Sequence, residues 1–305
     1  MFQDTIEKTF AVTGPARLRL SNIRGSTEVL PGEDGIISIV AIKHLDTGDA
    51  ERTDIRIYQA GDGSVCVETR YDWFGWWLSF SRPCKVEYIV RVPARCDVRL
   101  SGVSNSTILG GLEGNLDLHS VSGSLSLRDL KGQVKINSVS GDVACDGTAG
   151  SLDLETVSGD ATLTHASLAR VSCSTVSGDI HLQLLDAGQV EKGPFRFKSV
   201  SGDVWVILPS ELGVNIELNS ISGRLRSNFT LDHFDKSGRW VKADCNGGGA
   251  LVYLNSISGD LHIGGAESRP VTQPGEVAHA SSAMEILEKI EQGKLSVAEG
   301  LAMLG

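Results

Sequence analysis

Residues 155–160, Glu-Thr-Val-Ser-Gly-Asp, return at 174–179 as Ser-Thr-Val-Ser-Gly-Asp, and relatives of this phrase recur along most of the chain. A phrase that returns at intervals of 18 to 36 residues indicates a repeat architecture. We align the units on the β-branched residue of the phrase, position 0. Its members are Val121, Val139, Val157, Val176, Val200, Ile221 and Ile257, with Val103 and Ile23 in two weaker units.

Apolar residues flank the phrase at a spacing of two in the strong units, with Ser227 as the one exception. They stand five and three residues before position 0, and four and six residues after it, as in Leu116, Leu118, Leu125 and Leu127. A spacing of two is the period of a strand that shows one face to a core. Each unit therefore predicts strand, corner, strand. Successive units should stack, with Leu118, Ile136 and Leu154 in adjoining layers.

The corner itself is predicted from small and polar residues. Glycine follows position 0 by two residues in every unit except that of Val103, which has Asn105. Glycine and asparagine adopt positive φ most readily, so we expect a left-handed corner throughout, including at Asn105. Serine or threonine precedes position 0 in the strong units, and we expect these hydroxyls to bond to the bent backbone.

These patterns predict an all-β protein: a single-stranded β-solenoid of stacked coils of about 18 to 24 residues, with a short C-terminal α-helical hairpin. The solenoid is expected over 1–263, with a β-sheet insertion at about 31–95 that packs on or caps the first coil. Residues 264–282 read as a flexible linker. Residues 283–305 have helical spacing, and we expect the hairpin to dock or oligomerise through Leu287, Ile290, Leu301 and Leu304.

Composition excludes several classes of function. The 28 basic and 38 acidic residues give a net charge of −10, which disfavours binding to nucleic acid. Neither a signal peptide nor an apolar run of membrane-spanning length is evident, so we expect a cytoplasmic protein with no transmembrane segment. The six cysteines lack the spacing of a zinc site, and we expect free thiols and no cofactor.

Two groups of residues are candidate sites. Asp142, Asp160 and Asp179 follow the corner glycine in consecutive units, and their carboxylates could hold a weakly bound cation, although aspartate is also an ordinary turn residue. These acids and the corner serines belong to the repeat, whereas an active site should be a local exception to it, so we expect no enzyme.

The second candidate is a segment that departs from the repeat. Residues 71–80, Tyr-Asp-Trp-Phe-Gly-Trp-Trp-Leu-Ser-Phe, concentrate aromatic side chains, among them Trp73, Phe74, Trp76 and Trp77. They predict either a plug for the end of the stack or an exposed patch that contacts a protein, a sugar or peripherally a membrane.

The phrase Val-Ser-Gly-Asp and the stretches 18–35 and 86–114 resemble the bacterial putative-adhesin family of β-strand-repeat proteins, and the tail at 286–304 is similar to SHOCT-like helical hairpins. The resemblance implies a β-solenoid without established catalytic residues, and for some relatives a regulatory role in envelope stress. We therefore expect a non-catalytic scaffold that binds a protein or associates with itself. The alternatives are a self-assembling, bactofilin-like cytoskeletal solenoid and a carbohydrate-active β-helix enzyme.

Overall fold

The computed structural model describes residues 2–72, 82–184 and 194–265, which form strands and turns and contain no helix. The predicted all-β class is confirmed. The strands are β1 (Gln3–Ala11), β2 (Ala16–Pro31), β3 (Ile36–His44), β4 (Thr53–Gln59), β5 (Val65–Tyr71), β6 (Lys85–Val92), β7 (Cys96–Gly110), β8 (Glu113–Ser122), β9 (Leu125–Arg128), β10 (Lys131–Ser140), β11 (Val143–Asp146), β12 (Ala149–Ser158), β13 (Ala161–Ser177), β14 (Ile180–Leu184), β15 (Phe195–Ser201), β16 (Val204–Leu208), β17 (Val214–Ser220), β18 (Leu225–Ser227), β19 (Leu231–Ser237), β20 (Trp240–Cys245), β21 (Ala250–Ser258) and β22 (Leu261–Gly265).

The repeat units stack in parallel as the apolar columns predict. Ile136 in β10 lies in register with Leu118 in β8 on one side and with Leu154 in β12 on the other. All three side chains are fully buried in one hydrophobic cluster. The prediction that equivalent residues lie in adjoining layers is therefore confirmed.

Parallel pairing forms two ladders that close around this core. The ladder before the corner runs in space through β5, β2, β7, β8, β10, β12, β13, β15, β21 and β17. The ladder after the corner runs through β6, β2, β7, β9, β11, β13, β14, β16, β22 and β18. Each layer contributes one strand segment to each ladder.

The prediction of a plain single-stranded β-solenoid is wrong, because the layers do not follow chain order. The last unit, β21 and β22, lies between the layer of β15 and β16 and the layer of β17 and β18. The 36-residue interval between Ile221 and Ile257 contains β19 and β20, which lie antiparallel on the outer side of β17. After β20 the chain therefore returns to the other side of β17, where β21 lies between β17 and β15. All units share the same apolar columns, so the sequence pattern does not specify their order.

The other end of the stack also departs from a plain solenoid. Within the predicted insertion at about 31–95, β5 and β6 pair in parallel with successive parts of β2 and together form the layer beyond it. Antiparallel strands then continue outward: β4 lies on β5, β3 lies on β6, and β1 lies on β3. Antiparallel strands thus cover both ends of the ladder before the corner.

Close approach requires glycine at the corners, and every corner glycine except Gly223 also has positive φ. Gly141 has φ of +128°, and a Cβ there would lie 2.4 Å from the carbonyl oxygen of Gly123 in the preceding layer. The same geometry recurs at Gly159, where a Cβ would lie 2.6 Å from the carbonyl oxygen of Gly141. A side chain at either position would force the layers apart.

The expected left-handed corner at Asn105 is wrong, because the non-glycine residues with positive φ in the described ranges are Asp129, His165 and Asn246. Asn105 is instead 3% exposed and joins three polar side chains. Its Nδ2 donates to Thr27 Oγ1 (3.1 Å) and Thr107 Oγ1 (3.0 Å), and its Oδ1 accepts from Asn22 Nδ2 (2.8 Å). This buried network, and not the backbone angle, accounts for asparagine at this corner.

Several predicted features lie outside the described residues. They are the aromatic cluster of Trp73, Phe74, Trp76 and Trp77, the linker beyond Gly265, and the hairpin with Leu287, Ile290, Leu301 and Leu304. Across the three described ranges, no helix has the length and apolar character needed to cross a lipid bilayer.

Candidate interaction surface

The most regular surface feature is a row of exposed β-branched side chains, one per layer. We call it the valine row; its members are 42–61% exposed and are Val103, Val121, Val139, Val157, Val176, Val200, Ile257 and Ile221 in spatial order. Seven steps at the spacing of paired strands, about 4.8 Å each, give a row roughly 34 Å long. Its members are the position-0 residues of the repeat other than Ile23, which is half-buried.

Strand periodicity explains why these side chains face solvent. Leu116, Leu118 and Ser120 alternate along β8 and are buried, so the next residue, Val121, points outward. Position 0 lies three residues after an inward column, which is an odd number. The prediction from the repeat did not include this exposed row, although the odd spacing that indicates it is present in the sequence.

A groove of about 750 Å³ lies beside the valine row from Ile23 to Val176. Its other wall is an outer row of side chains two residues earlier in each strand. Within the groove these are Ser101, His119, Asn137, Glu155 and Ser174 with the adjoining Gly102. Ser120, Ser138, Thr156 and Thr175 form its floor. The walls are therefore apolar on one side and largely neutral and polar on the other.

The floor hydroxyls bond to the bent backbone in part of the stack, as predicted. Thr156 Oγ1 donates to the carbonyl oxygen of Ser158 (3.2 Å), and at the equivalent position beyond the groove Ser199 Oγ donates to that of Gly202 (3.2 Å). In contrast, the side-chain oxygens of Ser120, Ser138 and Thr175 are buried without a hydrogen-bond partner among the described residues. Exposed serines also follow each member of the valine row, so this face is small, neutral and regular.

The aspartate column lies at the corner, but its carboxylates act on the backbone of the next layer. Asp142 Oδ1 accepts the amide hydrogen of Asp160 (3.0 Å), and Asp160 Oδ1 accepts that of Asp179 (2.9 Å). The chain of bonds continues through Asp203 to Asp260. No group of three or more His, Cys, Asp or Glu side chains within the described ranges is arranged to hold a metal ion. The column thus has a structural role in joining layers.

On the ladder after the corner, three rings stack across successive layers. The ring centroids of His181 and Trp205 are 4.3 Å apart and those of Trp205 and His262 are 4.9 Å apart, with nearly parallel planes. Burial lowers the pKa of His181, although the carboxylates of Asp179 and Asp160 act in the opposite direction. His181 is therefore held neutral against the indole at neutral pH.

This stack makes stability depend on pH. The folded-state pKa of His181 lies below its unfolded value of about 6.5, so its contribution is present above that pH and is lost as the pH falls through the folded pKa. We expect His181→Gln to flatten the pH dependence of the free energy of unfolding between about pH 7.5 and 5. Urea unfolding of both proteins at several pH values measures this, and parallel curves would contradict it.

The cysteines offer no nucleophile. All six are unpaired and buried. Burial raises the pKa of Cys145 to about 12 and that of Cys96 to about 12, so both thiols stay protonated at neutral pH. Cys145 and Cys173 occupy the apolar columns, as the alignment predicted.

Comparison with solved structures finds weak similarity to proteins described as adhesins. A "putative adhesin" from Parabacteroides distasonis ATCC 8503 is 10% identical, with 85% of this chain and 97% of that chain covered and a TM-score of 0.44. A "putative adhesin" from Bacteroides fragilis NCTC 9343 is 13% identical, with 86% and 97% covered and a TM-score of 0.41. No curated protein matches the chain.

A family model gives the assignment. It matches residues 60–264, which is more than half of the 305 residues and includes most of the parallel layers. The chain therefore belongs to the Toastrack DUF4097 family.

Proposed function

We propose that this protein is a non-catalytic interaction protein whose stack presents the valine row and its groove to a protein partner. The observation that carries the proposal is the unbroken exposure of one β-branched side chain in each of eight layers. Contiguous exposed apolar surface of this kind marks interaction sites. β-branched side chains are stiff, so covering them costs little side-chain entropy.

The geometry gives less support to a carbohydrate-active enzyme. Hydrolysis of a glycosidic bond generally requires two carboxyl groups that face each other across the substrate. The groove has one carboxylate in its lining, that of Glu155. The corner aspartates bond to backbone amides of the next layer, as described above. These observations favour binding over catalysis.

The ends of the stack also favour a lateral binding surface over end-to-end filaments. Strand β19 is the outermost strand at one end, and its exposed side chains include Asp232, His233, Asp235 and Lys236. At the other end β1 is outermost beyond β6 and presents Asp4, Glu7 and Lys8, while β4 is outermost beyond β5 and presents Asp54 and Arg56. Charged side chains on edge strands oppose pairing with a further strand.

We extend the proposal to a regulatory role in bacterial envelope stress, exercised from the cytoplasm. The support for the role is the resemblance of the repeat and tail to proteins with that association. The support for the location is chemical: six unpaired cysteines fit a reducing compartment.

The proposal is tested by altering the valine row in the full chain. Val139→Thr, Val157→Thr and Val176→Thr together keep side-chain shape while adding three hydroxyls to the row. We expect this variant, immobilised and exposed to an extract of the producing cells, to retain about tenfold less bound protein by quantitative mass spectrometry.

The matched control changes exposed isoleucines outside the row, Ile89→Thr and Ile108→Thr, and should retain as much protein as the unaltered chain. Thermal unfolding must be cooperative in both variants. Equal retention by the valine-row variant and the control would contradict the proposal.

A further inference from the structure

We infer that the partner of the valine row is a second copy of this chain, packed face to face about a twofold axis that runs along the strand of the Val176 layer. The inference rests on the proposed function and names its partner. Eight side chains that repeat every 4.8 Å or so are matched in register by a surface of the same period. A second copy has that period, and a twofold axis makes one patch complementary to itself.

Charge in the outer row fixes the position of the axis. Read in spatial order, the full outer row is Ser101, His119, Asn137, Glu155, Ser174, Lys198, Asn255 and Asn219. Glu155 lies one layer before the Val176 layer and Lys198 lies one layer after it. Both are exposed, and neither forms an ion pair within the described part of the chain.

A twofold axis along the strand of the Val176 layer reverses the order of layers in the second copy. Glu155 of each copy then faces Lys198 of the other, which gives two equivalent ion pairs. The alternative axis, along the stack, keeps each layer beside its own copy. If it runs along the outer row it puts Glu155 beside Glu155 and Lys198 beside Lys198, and at no position does it pair Glu155 with Lys198. Like charges in contact are unfavourable, so the arrangement with reversed layers is preferred.

The remaining positions of the outer row are compatible with this twofold rotation. His119 faces Asn219, Asn137 faces Asn255, and Ser174 faces its own copy. Each of these pairs contains both donors and acceptors of hydrogen bonds. The operation therefore leaves no like-charged pair in the outer row.

The next row outward adds one pair of opposite charge and two pairs of like charge. Asp153 faces Arg196, whereas Asp117 faces Glu217 and, in the outermost layers, Arg99 faces Lys242. The like-charged groups are neutralised within their own chain. Asp117 lies 3.3 Å from Arg99 Nε and 3.0 Å from His119 Nε2, and Glu217 lies 2.8 Å from Lys242 Nζ.

Trp240 extends the face by one layer, so that the twofold axis lies at the centre of the face. It lies in β20, in register with Asn219 at the end of the outer row, and is 42% exposed. Rotation about the same axis places Trp240 opposite the Val103 layer of the second copy. Val176 is thus the fifth of nine layers, so all nine overlap. Exposed tryptophan is a frequent anchor of protein interfaces.

The size of the face predicts a reversible dimer. Nine layers at about 4.8 Å and a width of about four strand residues give roughly 500 Å² per copy. Stable interfaces generally bury about 800 Å² per partner. We therefore expect the dimer to dissociate on dilution, and more readily when either ion pair is lost.

Charge reversal tests the arrangement in the full chain by sedimentation equilibrium. Glu155→Lys and Lys198→Glu should each raise the dimer dissociation constant by about tenfold, because each places two like-charged pairs in the interface. The double variant Glu155→Lys, Lys198→Glu should return it to within about threefold of the unaltered value. Glu33→Lys with Lys85→Glu, exposed and outside the face, is the control for altered charge and should have no effect.

A chain that stays monomeric at every concentration tested would overturn the inference. So would a dimer whose dissociation constant is unchanged by the single charge reversals, or is not restored by the double variant. Failure here is distinguishable from failure of the proposed function. A monomeric chain that still loses captured protein when the valine row is altered would keep that function and require a different partner.

Discussion

Gly141→Ala should lower the free energy of unfolding by about 3 kcal/mol or more, the largest effect we expect from removing or adding a single carbon. Its backbone angle is unfavourable for any residue with a side chain, and the new Cβ would lie 2.4 Å from the carbonyl oxygen of Gly123. Relief requires two paired layers to separate, which weakens the hydrogen bonds and the core contacts between them. Urea unfolding followed by circular dichroism gives the value.

Two other glycines separate the causes of this effect. Gly238 has φ of +59° but open space where a Cβ would lie, so Gly238→Ala should cost only about 1 kcal/mol. Gly14 has open space and no such angle, so Gly14→Ala should have almost no effect. If Gly141→Ala cost no more than Gly238→Ala, the close approach of layers would not be the reason for glycine at the corner.

Asn105→Gly should destabilise the protein by about 2–4 kcal/mol, although it restores the residue that the repeat has at the other corners. The change removes the acceptor of Asn22 Nδ2 and the donor to Thr27 and Thr107, all of them buried. Buried polar groups without a partner bear the full cost of desolvation. Chemical denaturation measures the loss.

The reverse exchange is the matched control. Gly123→Asn brings asparagine to the next corner, where φ is +125° and a Cβ would lie 2.4 Å from the carbonyl oxygen of Asn105. We expect it to be destabilising as well, since the two corners look alike in sequence but not in structure. An Asn105→Gly protein as stable as the unaltered chain would show that the buried network is dispensable.

The layers were predictable because their cause is local. Alternation of apolar residues specifies which side of each strand is buried, and identical alternation in each unit specifies that Leu118, Ile136 and Leu154 share a column. The exposure of Val121 follows from the same period, by its odd distance from Leu118. Such features require no knowledge of residues far away in the chain.

The order of the layers and the choice of Asn105 were not predictable in this way. The apolar pattern of β21 suits any layer of the stack, and in the structure β21 lies between β15 and β17, with the hairpin of β19 and β20 on the outer side of β17. Asn105 is determined by Asn22 and Thr27, which are about 80 residues distant in sequence. The exposure of the valine row follows from strand geometry. The charge pattern of the neighbouring outer row can be interpreted only when the spatial order of the layers is known.

The interleaved position of β21 and β22 has a consequence for biosynthesis. When residues up to Ser227 have left the ribosome, the slot between β16 and β18 is still unfilled, because the strands that occupy it, β21 and β22, come last in the chain. A nascent or truncated chain would therefore expose apolar side chains on both sides of that slot.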